Sequence, residues 1–147
     1  MPRIALIIAF SVLFALGCKK EETVDPSPEI TYVSMSASQV VEFENQVEVT
    51  FSYKDADGDI GEPDPDVKTL RVKDARLSEA DFYHIPPVTP ELQALNVEGT
   101  FTVVLNPLFL LGNGSQETTS FNIQLEDRAG NLSNTIMTPE VLITDSL

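Results

Sequence analysis

From residue 30 onward, apolar residues alternate with polar ones at every second position, which is the period of a β-strand with one buried face. The clearest case is the segment 47–53, and the segment 121–125 shows the same alternation. Further examples are the segments 30–35, 67–73 and 101–105. The first of these three has the character of an edge strand. The sequence therefore predicts a protein built of strands.

The last apolar stretch, residues 136–144, contains Pro139. Proline lacks the N–H donor that an internal strand position needs, so this stretch belongs at a sheet edge or at a bulge. Six or seven short strands with turn-rich connections predict an all-β fold. The expected architecture is an antiparallel β-sandwich of about seven strands over residues 30–147.

The strongest turn signal is the segment 126–131, Glu-Asp-Arg-Ala-Gly-Asn, in which Gly130 and Asn131 tolerate positive φ. This Asp-x-Ala-Gly-Asn turn before a final strand resembles the closing hairpin of bacterial immunoglobulin-like domains. The resemblance covers roughly residues 30–144 and implies an immunoglobulin-like sandwich. The sequence has no tryptophan and only one cysteine, so the resemblance does not extend to the core packing of antibody domains.

Two connections between predicted strands carry signals of their own. Residues 90–95 begin with a proline after a threonine and continue with an acid, which predicts one or two helical turns. Residues 107–112 are mostly apolar, and they form either a plug over the open end of the sandwich or an exposed patch for a partner. Because apolar loop residues are more often buried, we favour the plug.

The start of the chain has a different character. Residues 4–16 form a run of thirteen residues that are apolar except for Ser11, and this run follows a single basic residue, Arg3. This is the length of a signal-peptide core and is too short for a membrane helix, which needs about 20 residues. An ordinary secretory peptide would usually offer an Ala-x-Ala cleavage site, and none is present.

Gly17 and Cys18 follow this run as a small residue and a cysteine do in bacterial lipoprotein signals. The first 18 residues resemble such a signal, although Ala15 stands where leucine is usual. The resemblance implies that residues 1–17 are removed and that Cys18 becomes the acylated N-terminus. Several acyl chains anchor a protein durably, because each buried CH₂ contributes about 0.8 kcal/mol.

Residues 18–29 are polar and contain two prolines, which predicts an extended tether between the lipid and the folded domain. Its first five residues, Cys-Lys-Lys-Glu-Glu, resemble the export tag that sends Bacteroidota lipoproteins to the cell surface. The alternative is a solvated, charged spacer. The predicted location is the bacterial outer membrane, where the protein is lipid-anchored and, if the tag is functional, faces the cell exterior.

The charge of the chain excludes one class of partner. The sequence has 23 acidic and 9 basic residues, and cleavage after residue 17 would remove Arg3 alone among them, changing the net charge from −14 to −15. Such a surface repels nucleic acid and favours cationic partners and divalent metal ions. The remaining 130 residues are enough for one domain with its own core.

Acidic residues are densest in the segment 55–66, where six carboxylates lie within twelve residues. The alternate spacing of Asp55, Asp57 and Asp59 directs their side chains toward a common centre. Carboxylate oxygens suit Ca²⁺, which takes 6–8 oxygen ligands. Ile60 occupies the position where an EF-hand loop requires glycine. The segment resembles instead the Asp-x-Asp-Gly-Asp turns of bacterial cadherin-like and immunoglobulin-like modules.

Topology predicts a further ligand for this turn. In an immunoglobulin-type sandwich, the loop after the second strand and the final hairpin emerge at the same end. Asp127 would then approach Asp55, Asp57 and Asp59. We predict a structural Ca²⁺ held by these four carboxylates, which would tie together two loops distant in sequence. The alternative is an acidic turn that is simply solvated.

His84 is the only histidine, and no nucleophile motif accompanies it, so we predict no enzymatic activity. The neighbouring Phe82 and Tyr83 either stack on a sugar ring or pack at a sheet edge. The predicted function is that of a lipid-anchored envelope protein with a non-catalytic binding or scaffolding role, acting on another envelope protein. The alternative function is that of an accessory glycan-binding lipoprotein of a nutrient-uptake complex, with Tyr83 in the binding site.

Overall fold

The computed structural model of the protein describes residues 25–90 and 95–146. Over these ranges the fold is all-β and contains no helix, which confirms the predicted fold class. The strands are β1 (Glu29–Met35), β2 (Gln39–Val41), β3 (Glu48–Asp55), β4 (Leu70–Asp74), β5 (Asp81–Tyr83), β6 (Val97–Val104), β7 (Gln116–Thr119), β8 (Phe121–Leu125), β9 (Ile136–Met137) and β10 (Val141–Thr144). The predicted signal segment, Cys18, most of the tether and most of the predicted helical turns lie outside the described residues.

One layer of the sandwich is an antiparallel sheet in the order β1-β3-β6. The central strand β3 pairs with β6 from Glu48, opposite Val104, to Asp55, opposite Val97. β1 lies at the edge, as the sequence predicted, and its first residue, Glu29, is opposite Lys54 of β3. The point where the chain enters the domain and the last residue of β3 are therefore at the same end of the sheet.

The second layer combines a four-stranded sheet, β5-β4-β8-β9, with a three-stranded sheet, β2-β10-β7. Only Ser120 separates β7 from β8, and only residues 138–140 separate β9 from β10, so two passes of the chain contribute to both sheets. The strands pair in antiparallel fashion except for β2 and β10, which are parallel. The layer is thus a bent sheet, and the chain passes from one part to the other between β7 and β8 and again between β9 and β10.

The ten strands of the described residues exceed the predicted count of about seven. The additional strands β2, β5 and β7 have three or four residues each, too few for an alternating pattern to be recognised. The stretch 136–144 was predicted as one strand at an edge or a bulge. It is divided around Pro139 into β9 and β10, because proline cannot donate to a strand ladder.

The hydrophobic core lies between the two layers and takes side chains from both. The alternation along β3 places Val49 and Phe51 in the core, and the alternation along β8 does the same for Ile123 and Leu125. Burial of a side chain of this size contributes roughly 1.5–3 kcal/mol. The largest fully buried side chains of the described residues are those of Phe51, Ile30, Ile60, Leu70, Leu105, Ile123, Leu125, Ile143, Val40, Val47, Val49 and Val141.

At the end of the sandwich opposite to Asp55, the apolar run 107–112 folds against the loop that follows β2. The N–H of Phe43 donates to the carbonyl of Leu108 at 2.9 Å. The side chain of Leu108 is buried, whereas that of Leu111 is exposed. The run therefore covers the end of the core through Leu108 and leaves Leu111 at the surface.

A network of ion pairs around Arg76 fixes the connection between this run and β7. The guanidinium lies 2.8 Å from a carboxylate oxygen of Asp74 and 2.8 Å from one of Glu117, and it also donates to the carbonyl of Phe109. Burial alone would raise the pKa of Asp74, but hydrogen bonds from Arg76 and Thr119 outweigh burial and hold this pKa below its ordinary value. The members of this network form no sequence motif, so the sequence does not predict it.

Candidate metal centre

The acidic turn begins at the last residue of β3. Asp55 is opposite Val97 in the ladder with β6, and it is only 3% exposed. The chain then turns back, so that the N–H of Asp59 donates to Oδ2 of Asp55 at 3.0 Å. This bond fixes one oxygen of the Asp55 carboxylate and holds the backbone of Asp59 close to it.

The closing hairpin supplies the second side of the site. Asp127 follows β8, is 3% exposed, and forms a bridge with Ile60 of the acidic turn. Its two carboxylate oxygens accept hydrogen bonds from the N–H and the Nδ2 of Asn131, at 2.7 and 2.9 Å. Gly130, with φ +86°, makes the turn that allows this arrangement. The orientation of the Asp127 side chain is therefore set within the hairpin itself.

Further hydrogen bonds join the two loops directly. The backbone N–H of Arg128 donates to the carbonyl of Asp59 at 3.1 Å, and the N–H of Ala129 donates to the Asp59 carboxylate at 3.1 Å. The Arg128 side chain donates to the carbonyl of Gly61. The structure thus contains the convergence of the acidic turn and the final hairpin that topology predicted.

Two glycines allow a third part of the chain to pack on the acidic turn. Gly58 and Gly61 have φ of +72° and +83°, and a Cβ at either position would collide with a backbone carbonyl, that of Leu95 or that of Pro86. The hydroxyl of Thr89 donates to the carbonyl of Gly58. The acidic turn is therefore held on two sides, by the closing hairpin and by the segment that contains Pro86, Thr89 and Leu95.

The convergence places three carboxylates in one group. Asp55, Asp59 and Asp127 each contribute an oxygen, and these oxygens all lie within 4.8 Å of one another. Asp57 is not in this group, although its charge acts on Asp55. The structure thus brings together three of the four predicted metal ligands and leaves the fourth beside them.

Three carboxylate oxygens in the acidic turn have no partner in the described protein. The Oδ1 atoms of Asp55, Asp57 and Asp59 are buried and have no hydrogen-bond partner among the described residues. A buried, unpaired carboxylate is strongly unfavourable unless a cation or a proton compensates it. Carboxylate oxygens at this spacing are hard ligands that suit Ca²⁺. The donor set therefore fits a calcium ion.

The pKa values of the cluster reflect this lack of counter-charge. The pKa of Asp55 is raised from 3.8 to about 6, chiefly by burial and also by the charge of Asp57, while the hydrogen bond from the N–H of Asp59 partly offsets these effects. Burial also raises the pKa of Asp59, with contributions from the charges of Asp127 and Asp57. Two neighbouring carboxyl groups thus favour a proton at a position where a divalent cation would be bound.

The predicted ligand-binding aromatics lie elsewhere, on β5. Tyr83 is half-buried against the core, its hydroxyl accepts a hydrogen bond from the N–H of Asn106, and burial raises its pKa. The side chain of Phe82 is 51% exposed. Nδ1 of His84 lies 3.0 Å from the carbonyl of Val67. Tyr83 therefore takes part in packing at the sheet edge, and stacking of a sugar on Phe82 or Tyr83 stays a prediction.

Within the described ranges, no helix combines the length and the apolarity that a membrane span requires. A comparison of the chain with protein-family models gave no match, and neither did comparisons with curated proteins and with solved structures. The function of the chain is therefore to be inferred from the geometry and the chemistry of its own residues.

Proposed function

We propose that the protein is a lipid-anchored, non-catalytic β-sandwich of the bacterial outer membrane, in which a structural Ca²⁺ joins the acidic turn to the closing hairpin. The calcium ion is supported by the group of carboxylate oxygens of Asp55, Asp59 and Asp127 within 4.8 Å, next to buried oxygens without a partner among the described residues. Asp57, which also has such an oxygen, completes the proposed ligand set. The lipid anchor is supported by the resemblance of the first 18 residues to a lipoprotein signal.

The expected role of the ion is structural. The Oδ1 atoms of Asp55, Asp57 and Asp59 are out of contact with solvent, so an ion bound to them would be enclosed by the protein rather than presented to a substrate. The cation would neutralise the repulsion among the carboxylates and replace the proton that burial favours. This enclosure supports a structural role for the ion, as a fixed tie between the two loops.

Isothermal titration calorimetry with CaCl₂ tests the site. We expect one Ca²⁺ per chain with a Kd of about 0.1–1 mM, the range of extracellular calcium modules. Mg²⁺ should bind more weakly, because it demands octahedral geometry and retains its water molecules. Asp59→Asn should abolish the signal.

The matched control for this titration is Asp66→Asn, which removes a carboxylate from the same segment at an exposed position outside the cluster. It should bind Ca²⁺ as the wild type does. Absence of binding by the wild type, or equal binding by the Asp59 variant, would contradict the calcium site.

Membrane attachment through Cys18 is tested separately. We expect the wild type to incorporate labelled palmitate and to stay in the outer-membrane fraction in buffer without detergent, because each buried CH₂ contributes about 0.8 kcal/mol to anchoring. Cys18→Ser should lose the label. A wild-type protein that takes up no palmitate, or that leaves the membrane in buffer without detergent, would exclude the lipid anchor.

A further inference from the structure

Phe43 lies in the turn after β2 and has an unusual conformation. It is the one residue other than glycine with positive φ among the described residues, at φ 60°, and its side chain is 68% exposed. A left-handed backbone costs an ordinary L-residue about 1–2 kcal/mol, and glycine or asparagine would adopt it more easily. The backbone conformation of the turn therefore does not favour phenylalanine at this position.

The ring of Phe43 is held in a defined position. It is stacked on the ring of Phe109, with centroids 5.9 Å apart and an interplanar angle of 4°. The N–H of Phe43 donates to the carbonyl of Leu108, and the carboxylate of Glu42 accepts a hydrogen bond from the N–H of Leu110 at 3.1 Å. Phe109 therefore lies beside the Phe43 ring in an offset stack, and most of the surface of Phe43 is exposed to solvent.

The surroundings of this ring are acidic. The two segments that build this end of the sandwich, residues 36–48 and 105–117, contain no lysine or arginine and carry four carboxylates, those of Glu42, Glu44, Glu48 and Glu117. The nearby guanidinium of Arg76 is engaged with Asp74 and Glu117 and does not neutralise the rest. An aromatic ring face attracts cations through its quadrupole, and acidic neighbours strengthen this attraction.

We propose that Phe43, Phe109, Glu44 and Leu111, here called the aromatic tip, bind an arginine or lysine side chain in a basic segment of a partner protein. The cation would lie over the exposed face of Phe43, the carboxylate of the exposed Glu44 would pair with it, and the exposed Leu111 would contact the adjacent aliphatic stem. The net charge of −14 favours the same kind of partner and steers its approach.

The position of the aromatic tip agrees with this role. The chain enters the domain beside Lys54, at one end of β3, whereas the aromatic tip lies beyond the other end of this strand, which is eight residues long. The two ends are about 23 Å apart at 3.3 Å per residue. The inference that the aromatic tip points away from the membrane rests on the proposed lipid anchor, but binding of a basic segment does not.

The test is an NMR titration of the full-length protein in detergent micelles with the peptide acetyl-Gly-Arg-Gly-Arg-Gly-amide. About 10 mM CaCl₂ is present, so that the acidic cluster is occupied if it binds calcium. We expect chemical-shift changes at the amides of the aromatic tip, and about threefold to thirtyfold weaker binding by Phe43→Asn, the range of a cation–π contact. Asparagine tolerates positive φ, so this variant keeps the turn.

The control is Met137→Ala, which removes an exposed apolar side chain from β9 and should leave binding unchanged. The peptide with glutamate in place of arginine should cause no shifts. Equal binding by wild type and Phe43→Asn, or shifts confined to residues outside the aromatic tip, would overturn the proposal. So would shifts at the aromatic tip caused by cellohexaose and not by the basic peptide, because the ligand would then be a neutral glycan.

Discussion

At pH 7, Ca²⁺ is expected to raise the melting temperature of the protein by roughly 8–15 °C when its concentration is about 100 times Kd. A ligand that binds only the folded state at this ratio contributes about 2.7 kcal/mol. For a domain of this size, each kcal/mol shifts the melting temperature by several degrees. Differential scanning calorimetry with CaCl₂ and with a chelator measures the difference.

The effect of pH should have opposite signs in the calcium-free and the calcium-loaded protein. Without Ca²⁺, the pKa of Asp55 is about 6 in the folded state against an ordinary value of 3.8. The folded state therefore holds a proton in this range that the unfolded state releases, so stability rises on the order of 2 kcal/mol as the pH falls from 7 to 4. With Ca²⁺ bound, protons compete for the same oxygens, and acidification lowers stability.

Asp55→Asn separates the contribution of the buried Asp55 charge to stability from that of bound Ca²⁺. The side-chain amide oxygen can still accept the hydrogen bond from the N–H of Asp59, while the buried charge is removed. In the absence of Ca²⁺ at pH 7, this variant should be at least as stable as the wild type, and it should not respond to Ca²⁺. The exposed Asp66→Asn variant should keep the full response. Identical melting curves of the wild type with Ca²⁺ and with chelator would contradict the metal site.

Arg76→Met is expected to destabilise the protein by about 3–5 kcal/mol. Methionine retains much of the aliphatic volume, but it leaves the carboxylate of Asp74, which is 9% exposed, without its counter-charge. Removal of one partner from a buried ion pair has a cost of this size, because the other charge stays buried and unpaired. Chemical denaturation at pH 7 gives the free energy of unfolding.

The matched control is Arg71→Met, on the same strand β4, where the half-buried arginine has no ion pair with any described residue. It should change the free energy of unfolding by no more than about 0.5 kcal/mol. The double variant Arg76→Met with Asp74→Asn also removes the unpaired charge of Asp74, so it should recover part of the lost free energy of unfolding. A single Arg76→Met variant as stable as the Arg71→Met control would show that the network does not support the fold.

The strands were predictable from sequence where one face is buried over five or more residues. The alternation that places Val49 and Phe51 in the core of β3 is explicit in the sequence, as it is for Ile123 and Leu125 of β8. β2 and β5 have three residues each, and their pairing depends on neighbouring strands rather than on local pattern. The division of the stretch 136–144 at Pro139 follows from the N–H donor that proline lacks. That β9 and β10 belong to two different sheets does not follow from the sequence.

The candidate metal centre was predictable in outline, because the spacing of Asp55, Asp57 and Asp59 indicates a common centre and the topology of the sandwich adds Asp127. The sequence could not reveal which oxygens are left without partners, since this depends on the hydrogen bonds of Asn131 and of the Asp59 backbone. The contacts of Arg76 and the left-handed turn at Phe43 were likewise out of reach, because neither has a local sequence signal.

The pairing of β1 with β3 has a mechanical consequence. If the lipid anchor holds the chain ahead of Glu29 and a partner pulls at the aromatic tip, traction acts along β1 and loads its ladder with β3 in shear. The interstrand hydrogen bonds are perpendicular to the strands, so they share this load and must break together. Asn134, whose side chain donates to the carbonyl of Ile30 and accepts from its N–H, adds a second attachment at the point of traction.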